Sequence, residues 1–162
     1  MSRLLLTLAV CGAFAALVAL PASAATFSYE ATFVEPFGGC PPGTSCGSAS
    51  ISQLGHSDDQ VVVFNACGFG CHIRTVAFDE GSTLVLRIED QPSGFAFTSP
   101  GNSGSHGEIC FPLPGDPQFL DIKETIVGGA GRFAGATGSG AGTVRLHGCI
   151  AVGKTAGTIT LP

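Results

Sequence analysis

From Thr26 to Phe33 apolar and polar positions alternate, with Phe27, Tyr29, Ala31 and Phe33 on one side and Thr26, Ser28, Glu30 and Thr32 on the other. A period of two is the mark of a half-buried strand. It returns where Leu84, Leu86 and Ile88 oppose Thr83, Arg87 and Glu89. Val61 to Ala66 is apolar on both faces and reads as a central strand; His72 to Phe78 pairs back across a turn at Cys67–Cys71, and Asp79 to Ser82 forms the next turn. Phe119 to Val127 is a further strand. Ala141 to Leu146 and Ala156 to Leu161 share an A-G-T-(V/I)-x-L pattern, as expected of neighbouring antiparallel strands with Val144, Leu146, Ile159 and Leu161 facing a core. Pro36 to Gly47 reads as a loop, and so does Pro92 to Gly107, with at most a short strand at Phe95–Thr98. No stretch sustains a helical period. Short strands at close spacing predict an all-β fold: a single antiparallel, roughly eight-stranded barrel, with a β-sandwich as the alternative.

The first residues carry a different pattern. Arg3 is followed by an apolar run from Leu4 to Leu20, then Pro21 and the A-x-A sequence Ala22-Ser23-Ala24. That order predicts a signal peptide over 1–24, cleaved after Ala24, and a secreted or periplasmic product with no membrane span after processing. The expected mature domain, 25–162, carries a Cys-, Gly- and Pro-rich insertion around 36–71. Without Arg3 the chain has 6 basic against 12 acidic residues and no basic cluster. Phosphate neutralisation needs grouped Lys and Arg, so nucleic acid is not an expected partner.

Six cysteines follow the leader: Cys40, Cys46, Cys67, Cys71, Cys110 and Cys149. An even number in an exported chain predicts a disulfide framework. Six allow many pairings; spacing points to Cys40 with Cys46, Cys67 with Cys71, and Cys110 with Cys149. The rival reading, zinc held by Cys40, Cys46, Cys67, Cys71 and His72, lacks the usual ligand spacing.

Residues 126–138, I-V-G-G-A-G-R-F-A-G-A-T-G, carry a G-G-x-G-x-F-x-x-A-x-G pattern. The segment from Phe119 to Gly138 resembles the strand-turn segment of the allene oxide cyclase and dirigent superfamily, which small secreted bacterial proteins also resemble. The resemblance implies an eight-stranded antiparallel barrel with an apolar cavity. In it Gly128, Gly129, Gly131, Gly135 and Gly138 shape the turn, and Phe133 plugs the barrel end. The family's catalytic residues lie outside the segment, and none is carried over.

Two nucleotide motifs match in letters alone. Gly148 to Thr155 fits a phosphate loop, but the few residues after it pattern as a strand and not as the required helix. Gly129 to Ala134 fits a dinucleotide fingerprint, yet no Asp or Glu follows Glu124 to hold a ribose. No cofactor is expected. His56 with Asp58 and Asp59 reads as a polar turn before it reads as a base with its orienting acid, and His106 with Glu108 as solvated polarity.

Glu124 is the catalytic candidate, because it shares parity with Leu120, Ile122 and Ile126 and is enclosed if that face looks inward. Phe27, Phe33, Leu84, Leu86, Leu120 and Ile122 are the expected cavity wall. The sequence thus points to a secreted barrel that binds a small apolar molecule or acts structurally, with a cyclase or isomerase using Glu124 as the alternative.

Overall fold

The structure is a computed structural model, and it describes residues 24–36, 39–91, 119–147 and 150–162. Eight strands follow one another around a closed antiparallel barrel. They are β1 (Ala25–Pro36), β2 (Thr44–Ile51), β3 (Gly55–Gly68), β4 (Cys71–Ala77), β5 (Thr83–Asp90), β6 (Phe119–Ala130), β7 (Thr137–His147) and β8 (Ile150–Leu161). Closure removes the unpaired sheet edges that invite aggregation. Outward positions carry Glu30, Ser50, Arg87, Asp121, Lys123, Arg145 and Lys154, while Tyr29, Phe33, Leu84, Leu86, Ile122 and Ile159 are buried. That is the polarity of a barrel facing water, the reverse of a lipid-facing one.

The count of eight matches the expectation, but one stave is not where the sequence placed it. Residues 36–71, read as an insertion, contribute β2 and β3. The sequence T-S-C-G-S-A-S-I has little apolar content, so Thr44–Ile51 gives almost no strand signal; its place comes from pairing with both β1 and β3. His56 and Asp58, expected in a turn, lie at the start of β3, where an extra residue bulges the strand between Ser57 and Gln60. The expected short strand at 95–98 lies outside the described residues, as do the leader and the side chain of Leu146.

The repeated A-G-T runs pair directly: Ala141 sits opposite Ala156 in the β7–β8 ladder. Ile159 is fully buried, with Val144 and Leu161 partly so.

The barrel has two unlike ends. One carries the 52–54 and 78–82 turns and the 3₁₀ turn Gly131–Phe133. It is plugged: Phe133 packs on Phe78 at 5.1 Å and joins Ile51, Leu54, Leu84, Leu86 and Ile126 in the main core. Arg132 lies over both rings, donates to the Leu54 carbonyl and pairs with Glu80 at 3.0 Å. Gly131 makes the plug possible. Its φ of +62° is a left-handed conformation, and a Cβ there would collide with Ser82. Gly128 sits in a bulge opposite Val85 and Leu86, Gly129 lies against the Thr83 carbonyl, Gly135 follows the 3₁₀ turn, and Gly138 opens β7.

The opposite end carries Cys40–Cys46 beside β2 and Cys67–Cys71 across the β3–β4 turn. Bonds of this kind place the barrel in an oxidising, extracytoplasmic environment. Each closes a short loop and contributes roughly 2 kcal/mol on the chain-entropy model. Cys110 and Cys149 lie outside the described residues.

Phe133→Ala should lower stability by about 3–5 kcal/mol, the cost of emptying a buried aromatic site. Phe69→Ala, at a side chain exposed by 73%, should change it by no more than about 0.5 kcal/mol. Denaturant midpoints compare the two; equal effects would show that Phe133 does not plug the core.

Candidate functional site

Between the two ends the lumen is crossed by charged side chains. Arg74 projects inward from β4. Its Nη1 donates to Glu124 Oε1 on β6 at 2.8 Å, and its Nη2 to Glu35 Oε1 on β1 at 2.7 Å. The guanidinium lies over Phe33, with Cζ 3.7 Å from the ring centroid. Gln60 Nε2 on β3 and Ser45 Oγ on β2 complete the shell of Glu35, at 3.1 Å each. The Tyr29 hydroxyl donates to Glu124 Oε2 at 3.2 Å. Glu35, Arg74 and Glu124 are all buried. One network therefore ties β1, β2, β3, β4 and β6 through the interior.

Register explains how Tyr29 reaches Glu124. Tyr29 pairs with Gly157, Gly157 with Gly140, and Gly140 with Glu124, in a row across β1, β8, β7 and β6. The two intervening residues are glycines. A Cβ on Gly140 would strike the Tyr29 hydroxyl, so the phenol crosses wall that only glycine leaves open. Burial pushes the Tyr29 phenol well above its ordinary range; the charge of Glu124 and its hydrogen bond add to this, and Arg74 opposes it.

Two carboxylates against one guanidinium give the cluster an excess of formal negative charge. Arg74 Nε, Gln60 Oε1 and Thr155 Oγ1 are buried with no partner among the described residues. Thr155 pairs with Gly142, and Gly142 with Ile122, so a wall without intervening side chains joins Thr155 to the second apolar cluster: Ile88, Leu120 and Ile122, with Val144 against them. Toward the cystine end, the Asn65 amide donates to His72 Nδ1 at 3.0 Å, which leaves the Nε2 proton of His72 to face Asp90 Oδ2 at 3.2 Å.

The residues nominated from the sequence separate accordingly. Glu124 is enclosed, 1% exposed, with Leu120, Ile122 and Ile126 on its face. The six apolar residues do not line one space. Phe33, Leu84 and Leu86 belong to the main core with Phe27 packed against it, while Leu120 and Ile122 stand in the second cluster. His56 Nε2 meets Asp58 Oδ1 at 2.9 Å and its Nδ1 meets Ser50 Oγ at 2.8 Å, but this group lies exposed on the outer wall. Lys154 and Thr155 of the phosphate-loop pattern lie within β8, and Gly129 to Ala134 runs from the end of β6 through the 3₁₀ turn. His106 and Glu108 lie outside the described residues.

Glu35, Arg74, Tyr29 and Gln60 were not nominated. Extending the alternation of Phe27 to Phe33 by one step points Glu35 inward, and the same parity from His72 to Phe78 points Arg74 inward. Among family models, curated proteins and solved structures, none matches this chain.

Removing one partner of a buried ion network leaves a charge without compensation, at about 3–5 kcal/mol. Arg74→Met should cost that much in denaturant unfolding, and Arg74→Met combined with Glu35→Gln and Glu124→Gln should recover most of it. A single variant as stable as the parent would show that the tie does not hold the barrel.

Tyr29 is the one tyrosine, and the chain has no tryptophan, so phenolate absorbance reads this residue directly. The folded barrel holds the phenolic proton more tightly than the unfolded chain does. The resulting stabilisation is complete below the unfolded value of about 10 and is lost as pH rises above it. Phenolate should therefore appear together with unfolding in an alkaline titration. Its appearance in the intact barrel near pH ~10 would contradict this.

Proposed function

We propose that the protein is secreted and binds a small molecule inside the barrel, toward the cystine end. The ligand has an apolar body and carries a hydroxyl or carbonyl group. The observation that carries this reading is the pairing of unlike surfaces: Ile122, which packs with Ile88, Leu120 and Val144, faces buried Thr155 across Gly142, and Thr155, Gln60 and Arg74 each keep a buried polar atom without a partner among the described residues. Apolar contact supplies affinity at roughly 25 cal/mol per Å2, and a few polar groups fix orientation. The plugged end supports entry from the other side.

A second reading rests on Tyr29 and Glu124 together with the resemblance of residues 126–138 to the cyclase superfamily. In it Glu124 serves as an acid or base toward the same class of ligand. A phenol whose proton burial holds firmly suits Tyr29 to donating a hydrogen bond rather than to ionising.

Native mass spectrometry of protein recovered from an exporting host should show a retained small molecule with a hydroxyl or carbonyl group. Thr155→Val should weaken its retention by roughly five- to tenfold, the worth of about one hydrogen bond. A preparation with no retained molecule, which also fails to take up long-chain alcohols or ketones, would sink the binding reading. Conversion of an added ligand, abolished by Glu124→Gln, would select the second.

A further inference from the structure

We infer that Cys67–Cys71 is a thiol–disulfide exchange site on the outer wall, whose substrate is an extracytoplasmic dithiol.

The two sulfurs are unlike. Cys67 is exposed at the end of β3, whereas Cys71, at the start of β4, is buried. Arg87 on β5 points Nε at Cys71 Sγ, 3.3 Å away. A cation beside one sulfur stabilises it as a thiolate and so as a leaving group. The guanidinium is fixed by Glu89, which accepts from Nη2 at 2.6 Å. An incoming thiolate therefore has access to Cys67 and a favoured leaving group in Cys71. Phe69, the tip of the turn, is 73% exposed and offers an apolar contact to the approaching chain.

The turn does not depend on the sulfur bond for its shape. The Gly70 amide donates to Asn65 Oδ1 at 3.1 Å, and the Asp90 amide donates to the Gly70 carbonyl at 2.9 Å. His72 joins the Asn65 amide to Asp90, and Phe64 meets the His72 ring edge-on at 5.4 Å. These bonds keep Cys67 and Cys71 facing each other after reduction. Among the described residues no cation hydrogen-bonds either sulfur of Cys40–Cys46, which serves as the internal comparison.

The step balances. One thiolate of the dithiol attacks Cys67 Sγ; a mixed disulfide forms, the Cys67–Cys71 bond breaks, and the electron pair leaves on Cys71. The second thiolate of the dithiol then attacks its own partner sulfur in the mixed disulfide and displaces Cys67. The dithiol is oxidised to a disulfide, the protein pair is reduced, and the two protons released by the dithiol are taken up by the protein thiols as solution pH dictates.

Limited treatment of the intact protein with dithiothreitol, followed by alkylation and peptide mapping, tests this. Cys67 and Cys71 should be labelled together and before Cys40 and Cys46, while far-ultraviolet circular dichroism remains that of the barrel. Arg87→Gln should slow their labelling roughly three- to tenfold, and Arg87→Lys should restore part of the rate. Labelling of Cys40 and Cys46 first, labelling of Cys67 and Cys71 only when the barrel unfolds, or an unchanged rate in Arg87→Gln would each overturn the assignment.

Discussion

The guanidinium of Arg74, held between two carboxylates from opposite sides of the lumen, is the constraint around which the interior is arranged. An arginine suits the place because its planar fork presents separate donors to Glu35 and Glu124 while it lies over Phe33. Each charge is costly to bury alone and tolerable only with the others in position. The arrangement therefore specifies which strands stand opposite one another. A slip of one residue in β4 would turn Arg74 outward and leave buried Glu35 and Glu124 without their cation.

The glycines make the inverse contribution. Around the row from Tyr29 to Glu124, two of four positions have no side chain, and the phenol fills the wall they leave. Side chains of β1 and β6 thus meet although two strands separate them. The same economy at Gly142 joins Thr155 to Ile122. The lumen is divided in consequence. Aromatic and aliphatic side chains fill the plugged end, with buried Ser57 and Ser82 satisfied by backbone hydrogen bonds, and the charged crossbar separates that core from the smaller apolar cluster.

Much of the barrel could be read from the sequence, because seven of its eight strands carry an alternating or continuous apolar run. Thr44–Ile51 could not, since a strand rich in Ser, Gly and Thr has no hydrophobic signal of its own; its two neighbours dictate its place. At the site, parity located Glu124 on the inner wall. It could not locate its partners, because ionic contacts across a lumen depend on how far the sheet staggers before it closes. The row that leaves β1 at Phe27 passes Ile126, Leu86 and Arg74 and reaches Ser45, which hydrogen-bonds Glu35 near the far end of the same β1. That stagger belongs to closure, and no single strand encodes it.

Division of the interior also bears on what the protein can do. A small barrel with a uniformly apolar lumen would gain most by filling it, and at the plugged end that has happened around Phe133. Buried charges prevent the same outcome further along, since an apolar side chain placed on the cluster would displace its hydrogen bonds without replacing them. Apolar packing and buried polarity are therefore segregated along the axis: the aromatic end supplies packing, and the crossbar fixes polar atoms that packing alone would exclude. The disulfides fall at the second end, where Cys40–Cys46 restricts the start of β2 and Cys67–Cys71 spans the β3–β4 turn beside its own hydrogen bonds. A region held by covalent bonds and ion pairs can keep unpaired polar atoms inside it, as Arg74 Nε, Gln60 Oε1 and Thr155 Oγ1 are kept, because its shape does not rest on close apolar packing at those points.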